Sequence, residues 1–178
     1  MQKVKKRHVT QQVGAVISSG SAMTLDIEHS LPVLLTMLAN RITATGTETF
    51  KKRHGWGSAE WKALSMVASL PGSSGAEIAD LLGMDRGGMS RTMQALARKG
   101  LLVIEKGTKQ GNIQTISMTS KGESVHASAL VTAHERERLL IAGLDAERHE
   151  QLLDALHLLL SNMASVAALK GLPQGESG

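Results

Sequence analysis

Residues 86–98 carry a set of hydrogen-bonding side chains at helical spacing. Met89, Met93 and Leu96 recur at i, i+4 and i+7, which predicts the buried stripe of an amphipathic helix. The opposite face carries five polar side chains: Arg86, Ser90, Arg91, Gln94 and Arg98. In the DNA major groove, arginine pairs bidentately with guanine and glutamine with adenine. The chemistry available to this face is therefore the reading of base edges and the neutralisation of phosphates.

Two consecutive glycines, Gly87 and Gly88, lie in the first turn of the same predicted helix. Each costs roughly 1 kcal/mol relative to alanine in a helix, so their presence calls for a reason. A backbone pressed against phosphates or base edges is one reason, because glycine has no side chain to hold it away. Poor local optimisation of the helix is the alternative, and the pattern alone does not separate the two.

Other elements are needed to present this helix. Ser74 and Glu77 have the spacing of a capping box that opens a preceding helix, and Ser74 is counted among the candidate DNA contacts. Gly83 permits a turn, and Asp85 is suited to cap the helix that starts at Arg86. Two helices joined by such a turn form a helix-turn-helix unit.

A hairpin is predicted directly after the polar helix. Segments 102–105 and 113–118 are strand-like, and residues 106–111 between them read Lys-Gly-Thr-Lys-Gln-Gly. Lys106 and Lys109 in this tip are placed to meet a neighbouring phosphate or the minor groove. The order helix, turn, helix, hairpin predicts a mainly α fold with a small β-hairpin wing, the winged helix-turn-helix.

Local signals also predict the remaining helix boundaries. The first helix should end near His54-Gly55, and Ser58 should cap the next one. Thr119 should cap a long helix over residues 120–142, and Asp145 a last helix.

The rest of the chain divides into flanking segments. Residues 1–24 are interpreted as a disordered basic arm and residues 171–178 as a disordered tail. The DNA-binding domain is assigned to residues 56–122, and residues 25–55 and 123–170 to dimerisation helices. The first helix has an apolar stripe at Leu31, Leu34, Leu35, Leu38 and Ile42. The last has a broader one at Leu152, Leu153, Leu156, Leu159, Leu160, Met163 and Val166. Both predict the interface of a homodimer, with packing inside one chain as the alternative.

Composition excludes several classes of protein. The 178-residue chain has no cysteine, so disulfides, thiolate metal sites and cysteine redox sensing are excluded. Its apolar runs are shorter than the ~18 residues of a membrane span, and no signal peptide is recognised, which predicts a soluble cytoplasmic protein. Residues 84–122 contain seven Lys/Arg and two Asp/Glu, whereas residues 123–178 contain four and eight. A basic middle beside an acidic end fits a face directed at a polyanion, although ordinary solvated faces explain the pattern equally well.

Four stretches carry a resemblance to a known family. They are Ser58-Ala-Glu-Trp-Lys-Ala-Leu64, Glu77-Ile-Ala-Asp-Leu-Leu-Gly-Met84, Ser90-Arg-Thr-Met-Gln-Ala-Leu-Ala-Arg-Lys-Gly-Leu-Leu102 and Ser117-Met-Thr-Ser-Lys-Gly122. Together they resemble the MarR family of bacterial transcriptional regulators, over about residues 26–170. The resemblance implies an obligate homodimer that binds a pseudo-palindromic operator in double-stranded DNA, commonly as a repressor. It also implies a pocket for a small anionic aromatic effector, whose binding shifts the two recognition helices and releases DNA.

The wing departs from the family pattern. Family wings usually carry Asp-x-Arg or Asp-Arg-Arg at the tip, whereas this chain has Gln110-Gly111-Asn112 in register. Lys106 and Lys109 can contact phosphates but lack the planar fork of an arginine. We expect weaker reading of the minor groove, with specificity resting on Arg86, Ser90, Arg91 and Gln94.

Few residues are candidates for the implied effector pocket. Arg41 is the lone cation in an apolar and hydroxyl-rich stretch, and it can pair with a ligand carboxylate or with an acidic neighbour across the dimer. Trp56 and Trp61 can stack on a ligand ring, or pack in the core. Without an effector, the alternative function is a ligand-blind architectural or constitutive DNA-binding protein.

Metal sensing and catalysis are less favoured by the sequence. His126 and His134 are eight residues apart, as are His149 and His157, but neither pair has the i, i+4 spacing of two metal ligands on one helix. Surface histidines are the simpler interpretation. No phosphate-binding loop, nucleophile elbow or close carboxylate pair is recognisable, so no enzyme, metal or cofactor is predicted.

Overall fold

The computed structural model describes residues 16–19, 22–105 and 114–168 of the chain. In chain order the elements are β1 (Val16–Ser19), β2 (Ala22–Leu25), α1 (Leu31–His54), α2 (Ser58–Ser69), α3 (Gly75–Leu81), α4 (Arg86–Arg98), β3 (Leu102–Glu105), β4 (Thr115–Met118), α5 (Ser120–Leu140) and α6 (Ala146–Ala168). β1 pairs with β2 and β3 with β4, both antiparallel. The predicted fold class, mainly helical with a small hairpin after the helix-turn-helix, is confirmed.

β1 and β2 differ from the interpretation of residues 1–24 as an arm without regular structure. The two strands form a hairpin in which Val16 lies opposite Leu25 and Ser19 lies opposite Ala22. Strands of four residues are too short to show a clear alternating pattern, which is why periodicity did not indicate them. Residues 1–15 and the predicted tail lie outside the described residues.

The core of residues 1–129 is formed by α2, α3, α4 and the β3–β4 hairpin. Its largest fully buried side chains are Leu64, Ile78, Met89, Met93 and Leu96. Three of these are the i, i+4 and i+7 positions of α4, so the predicted buried stripe is confirmed. Because α4 turns this stripe inward, the polar residues of its opposite face are exposed.

The base of the β3–β4 hairpin is fastened to the end of α4. The Thr119 hydroxyl donates to the Gly100 carbonyl at 2.7 Å, and the Thr119 amide donates to the Leu101 carbonyl at 3.1 Å. A side chain at position 122 would overlap the Leu101 carbonyl, so only Gly122 fits there. Residues 99–101, after α4, and residues 119–122, after β4, therefore contact each other, and this contact positions the hairpin against α4.

Helix boundaries agree with the sequence with one correction. α1 ends at His54, and Gly55 follows in the left-handed region at φ 75°, as expected of a helix C-terminus. α2, however, is preceded by Gly57 as its N-cap, and Ser58 is its first helical residue. The buried Ser58 hydroxyl donates instead to the Thr43 carbonyl at 3.0 Å, which ties α2 to α1.

α1 and α6 each leave apolar side chains exposed within the single chain. α6 contains no buried residue, and its exposed large apolar residues are Leu152, Leu153, Leu158, Leu160, Met163 and Val166. α1 exposes Leu31, Leu34, Leu35, Met37 and Leu38. α5 begins at Ser120 as predicted and ends at Leu140. Within the described part of the chain, no helix combines the length and apolarity that crossing a membrane requires.

Candidate nucleic-acid interface

Caps at the start of α3 and α4 set the direction of both helices. The Ser74 hydroxyl accepts from the Glu77 amide at 3.2 Å, and the Glu77 carboxylate accepts from the Ser74 amide at 2.7 Å. This confirms the predicted capping box, and the bond from the Ser74 amide lowers the pKa of Glu77. At α4 the Asp85 carboxylate accepts from the Gly88 amide at 2.5 Å, which confirms the predicted cap. Ser74 therefore has a structural role besides its candidate contact with DNA.

An open groove of about 330 Å³ lies between the start of α3, the polar face of α4 and the hairpin. It brings together four of the candidate DNA contacts, namely Ser74, Arg86, Ser90 and Gln94. Met93, Ile104 and Ile116 supply its apolar lining. Gln114, just before β4, also lines it and was not identified from the sequence, because the lone amide lies outside any helical pattern. The groove joins hydrogen-bonding side chains to an apolar surface, and both are used to recognise base edges.

Arg86 is held by an acidic residue of α3. Its Nε donates to Asp80 Oδ1 at 2.7 Å and its Nη2 to Asp80 Oδ2 at 2.6 Å, so the pair is bidentate. The hydrogen bond from Arg86 lowers the pKa of Asp80, and the same bond raises the pKa of Arg86. Both groups are consequently charged at neutral pH. Asp80 and Arg86 are six residues apart in the chain, and their contact joins α3 to α4. No local sequence pattern indicates this contact.

The Arg91 side chain extends toward Asp85, the N-cap residue of its own helix. Its Nη2 is 3.8 Å from Asp85 Oδ2, and its side chain is 78% exposed. A Cβ atom at position 87 would lie 3.4 Å from Arg91 Nη1, and one at position 88 would lie 3.1 Å from Asp85 Oδ2. Gly87 and Gly88 thus leave room for this cap and this guanidinium, which gives the glycine pair a structural reason within the chain. Close approach of DNA to the two glycines stays a prediction.

The other candidate contacts are less defined by the structure. Arg98 is exposed in the last turn of α4, away from the groove residues. Lys106, Lys109 and the tip residues 110–112 lie outside the described residues. What the wing does at DNA is therefore still predicted from the sequence alone.

The candidate effector residues fall in two different settings. Trp56 and Trp61 belong to an aromatic cluster: Phe50 stacks on Trp56 and on Trp61, with ring centroids 5.5 and 5.2 Å apart. His126 of α5 also stacks on Trp61, with ring centroids 5.4 Å apart and the rings 12° from parallel. Trp56 is only 6% exposed, so packing accounts for it fully, while Trp61 remains half-buried. Arg41 is exposed on α1 and takes no part in the cluster.

Protonation of His126 is expected to destabilise the fold. Burial lowers the pKa of His126, so the folded chain binds this proton less readily than the unfolded chain does. Stability should therefore fall as the pH drops through the unfolded-state pKa of roughly 6.5. Between about pH 7.5 and about pH 5.5, Tm should fall further for the wild type than for His126→Phe, which keeps a ring against Trp61 but cannot titrate. Equal falls in the two proteins would contradict this role of His126.

Metal binding gains no support from the described residues. Among residues 16–19, 22–105 and 114–168, no three His, Asp or Glu side chains are grouped to hold a metal ion. The candidate pairs His126 with His134 and His149 with His157 do not recruit a third ligand in this part of the chain.

Comparison with known proteins gives a consistent result. Residues 54–111 match a protein-family model described as the MarR family. Among solved structures, a MarR/EmrR family transcriptional regulator from Acinetobacter sp. ADP1 is similar at 25% identity and a TM-score of 0.74. The match covers 79% of this chain and 99% of that chain. No sequence match was found among curated proteins.

Two further structures show what similar folds have been seen to bind. The S. aureus MepR–DNA complex is 20% identical, with a TM-score of 0.65 and coverage of 76% of this chain and 98% of that one. PcaV from Streptomyces coelicolor, solved in complex with its natural ligand, is 18% identical, with a TM-score of 0.64 and coverage of 78% and 96%. At these identities the likeness establishes the fold.

Proposed function

We propose that this chain, whose residues 54–111 match the MarR family model, is a cytoplasmic repressor of that family that binds a pseudo-palindromic operator as a homodimer. A small anionic aromatic effector releases it from DNA. The observation that carries the proposal is the exposed polar face of α4, with Arg86, Ser90 and Gln94 lining one groove beside the hairpin. A helix with this polar face is suited to the major groove. MepR, a protein of similar fold, has been solved in complex with DNA.

Dimer formation is supported by the apolar surfaces of α1 and α6. Met163, on the α6 stripe, is 54% exposed in the single chain, and Leu38 of α1 is 46% exposed. An exposed apolar stripe along a helix, as on each of these two, marks an association site in a soluble protein. In a two-fold dimer each residue of the stripe is used twice, once from each protomer. We therefore assign both helices to the contact between two copies of this chain.

An effector site is supported by one cation and one partly open aromatic side chain. Arg41 offers an exposed guanidinium that can bind a carboxylate bidentately, and Trp61 keeps part of its ring accessible. PcaV, which has a similar fold, has been solved with its natural ligand. A ligand that binds one dimer conformation better than the other shifts the spacing of the two α4 helices and hence the affinity for DNA.

A thermal-shift screen of the full chain against aromatic carboxylates tests the regulatory part of the proposal. A ligand at about 100 times its Kd stabilises by about 2.7 kcal/mol, which should raise Tm by about 5–10 °C in a chain of this size. The same compound should weaken operator binding, and Arg41→Ala should reduce both effects while Arg138→Ala, on α5, should not. If a broad panel gives no hit while DNA binding is intact, the protein is a ligand-blind DNA binder instead. The packing of Trp56 and Trp61 inside the aromatic cluster is the observation that favours this second candidate.

A further inference from the structure

The pair between Asp80 and Arg86 does more than connect two helices. Both side chains are largely exposed, at 53% and 68%, and exposed ion pairs contribute little to stability. An aspartate on a surface that approaches DNA also repels phosphates. Neither fold stability nor general attraction to a polyanion therefore explains the pair well.

A guanidinium presents five N–H donors in a rigid plane. Asp80 accepts from Nε and Nη2 of Arg86, which occupies one edge of that plane. The outer edge keeps two parallel donors, one each on Nη1 and Nη2. This is the donor pair that guanine accepts through O6 and N7. The bond to Asp80 thus leaves the base-reading edge of Arg86 available and fixes the direction in which it points.

We propose that Asp80 is a positioning residue that holds Arg86 in the orientation needed to read one guanine in each operator half-site. The inference rests on the proposed DNA-binding function. Arg86 is the first residue of α4, and the N-terminal residues of a recognition helix are the ones that reach base edges. It also lines the same groove as Ser90 and Gln94, so the three side chains address one short run of base pairs.

Charge separates a base-reading role from a phosphate-binding role. The Asp80–Arg86 pair is neutral as a whole, so it releases few counterions and adds little to non-specific affinity. Removal of the Asp80 charge should therefore have different effects on non-specific affinity and on sequence discrimination. Binding to random DNA should stay equal or increase, whereas discrimination at one guanine should fall.

The test is a complete single-base substitution profile on a duplex that the full-length wild-type protein has selected from a random pool. Asp80→Asn, which keeps the size of the side chain but cannot form the charged bidentate bond, should lose about tenfold discrimination at one guanine per half-site. Arg86→Lys, which keeps the charge but not the fork, should lose discrimination at the same position. Glu105→Gln is the matched control, because it removes the same charge from β3 of the same domain. It should strengthen binding uniformly and leave the profile unchanged.

Three results would overturn the proposal. If Asp80→Asn keeps the full profile while Arg86→Lys loses it, Arg86 reads DNA without help from Asp80. If both variants keep it, or both weaken all sequences equally, the pair is only a link between α3 and α4. If the wild type itself selects no sequence, the proposed function fails first, and that outcome is recognised before any variant is compared.

Discussion

Met163→Glu is expected to convert the dimer into monomers and to abolish high-affinity DNA binding. Met163 lies on the apolar stripe of α6, in the second half of the helix, and is 54% exposed in the single chain. A glutamate there would be buried without a partner, and a two-fold interface would bury it twice, which costs several kcal/mol. Sedimentation velocity should show a dimer dissociation constant raised by on the order of a hundredfold or more. Operator affinity should fall in parallel, because two linked half-site contacts become independent ones.

Ser161→Glu is the matched control for this substitution. Ser161 is exposed on the same helix two residues away, on the side opposite the stripe. The added charge is the same, but it remains in water, so the dimer and its DNA affinity should persist. A Met163→Glu protein that remains a dimer would show that α6 does not form the interface.

Arg91→Ala is expected to lower operator affinity by at least tenfold. Its guanidinium is 78% exposed and only loosely paired, at 3.8 Å from Asp85, so it is available to DNA. One bidentate contact to guanine contributes roughly 1 to 3 kcal/mol of discrimination, and a two-fold dimer loses two such contacts. Fluorescence anisotropy on the selected operator and on random DNA, each at fixed salt, measures both the affinity and the specificity ratio.

Two further variants show whether the effect of Arg91→Ala comes from its planar guanidinium or only from its charge. Arg91→Lys should keep most of the binding to random DNA but lose specificity, because lysine retains the charge without the fork. Arg138→Ala removes the same charge from the last turn of α5 and should change operator affinity little. Unchanged operator affinity in Arg91→Ala would contradict the assignment of α4 as the recognition helix.

Periodicity and caps predicted the helix-turn-helix and its buried stripe well, because they are local properties. Met89, Met93 and Leu96 recur at helical spacing and are buried, and the caps at Ser74 and Asp85 form as their spacing indicated. The signals needed only neighbours within one helical turn. The polar face of α4 followed from the same count.

Helical periodicity and cap spacing could not predict contacts between different secondary-structure elements. The Ser58 hydroxyl donates to the Thr43 carbonyl, 15 residues away, instead of capping α2, whose N-cap is Gly57. The contact between Asp80 and Arg86 depends on the turn that places α3 against α4. Such pairs depend on how elements pack, and a pattern read along one chain carries no information about packing partners.

The glycine pair in α4 illustrates a similar ambiguity. Gly87 and Gly88 suggested close approach of DNA, whereas the structure supplies a nearer reason in the Asp85 cap and the Arg91 side chain. Both reasons require the absence of a side chain, so the residue type alone could not separate them.

We propose that the dimer reads a specific DNA sequence through two copies of α4. Selection of duplexes from a random pool by the full-length protein, followed by sequencing, tests it most directly. If α4 reads DNA in this way, the selected duplexes should be enriched in a pseudo-palindrome whose half-sites are about one helical turn apart, roughly 10 base pairs from centre to centre. A pool that remains random after repeated rounds, at salt concentrations where the protein still binds DNA, would contradict the claim.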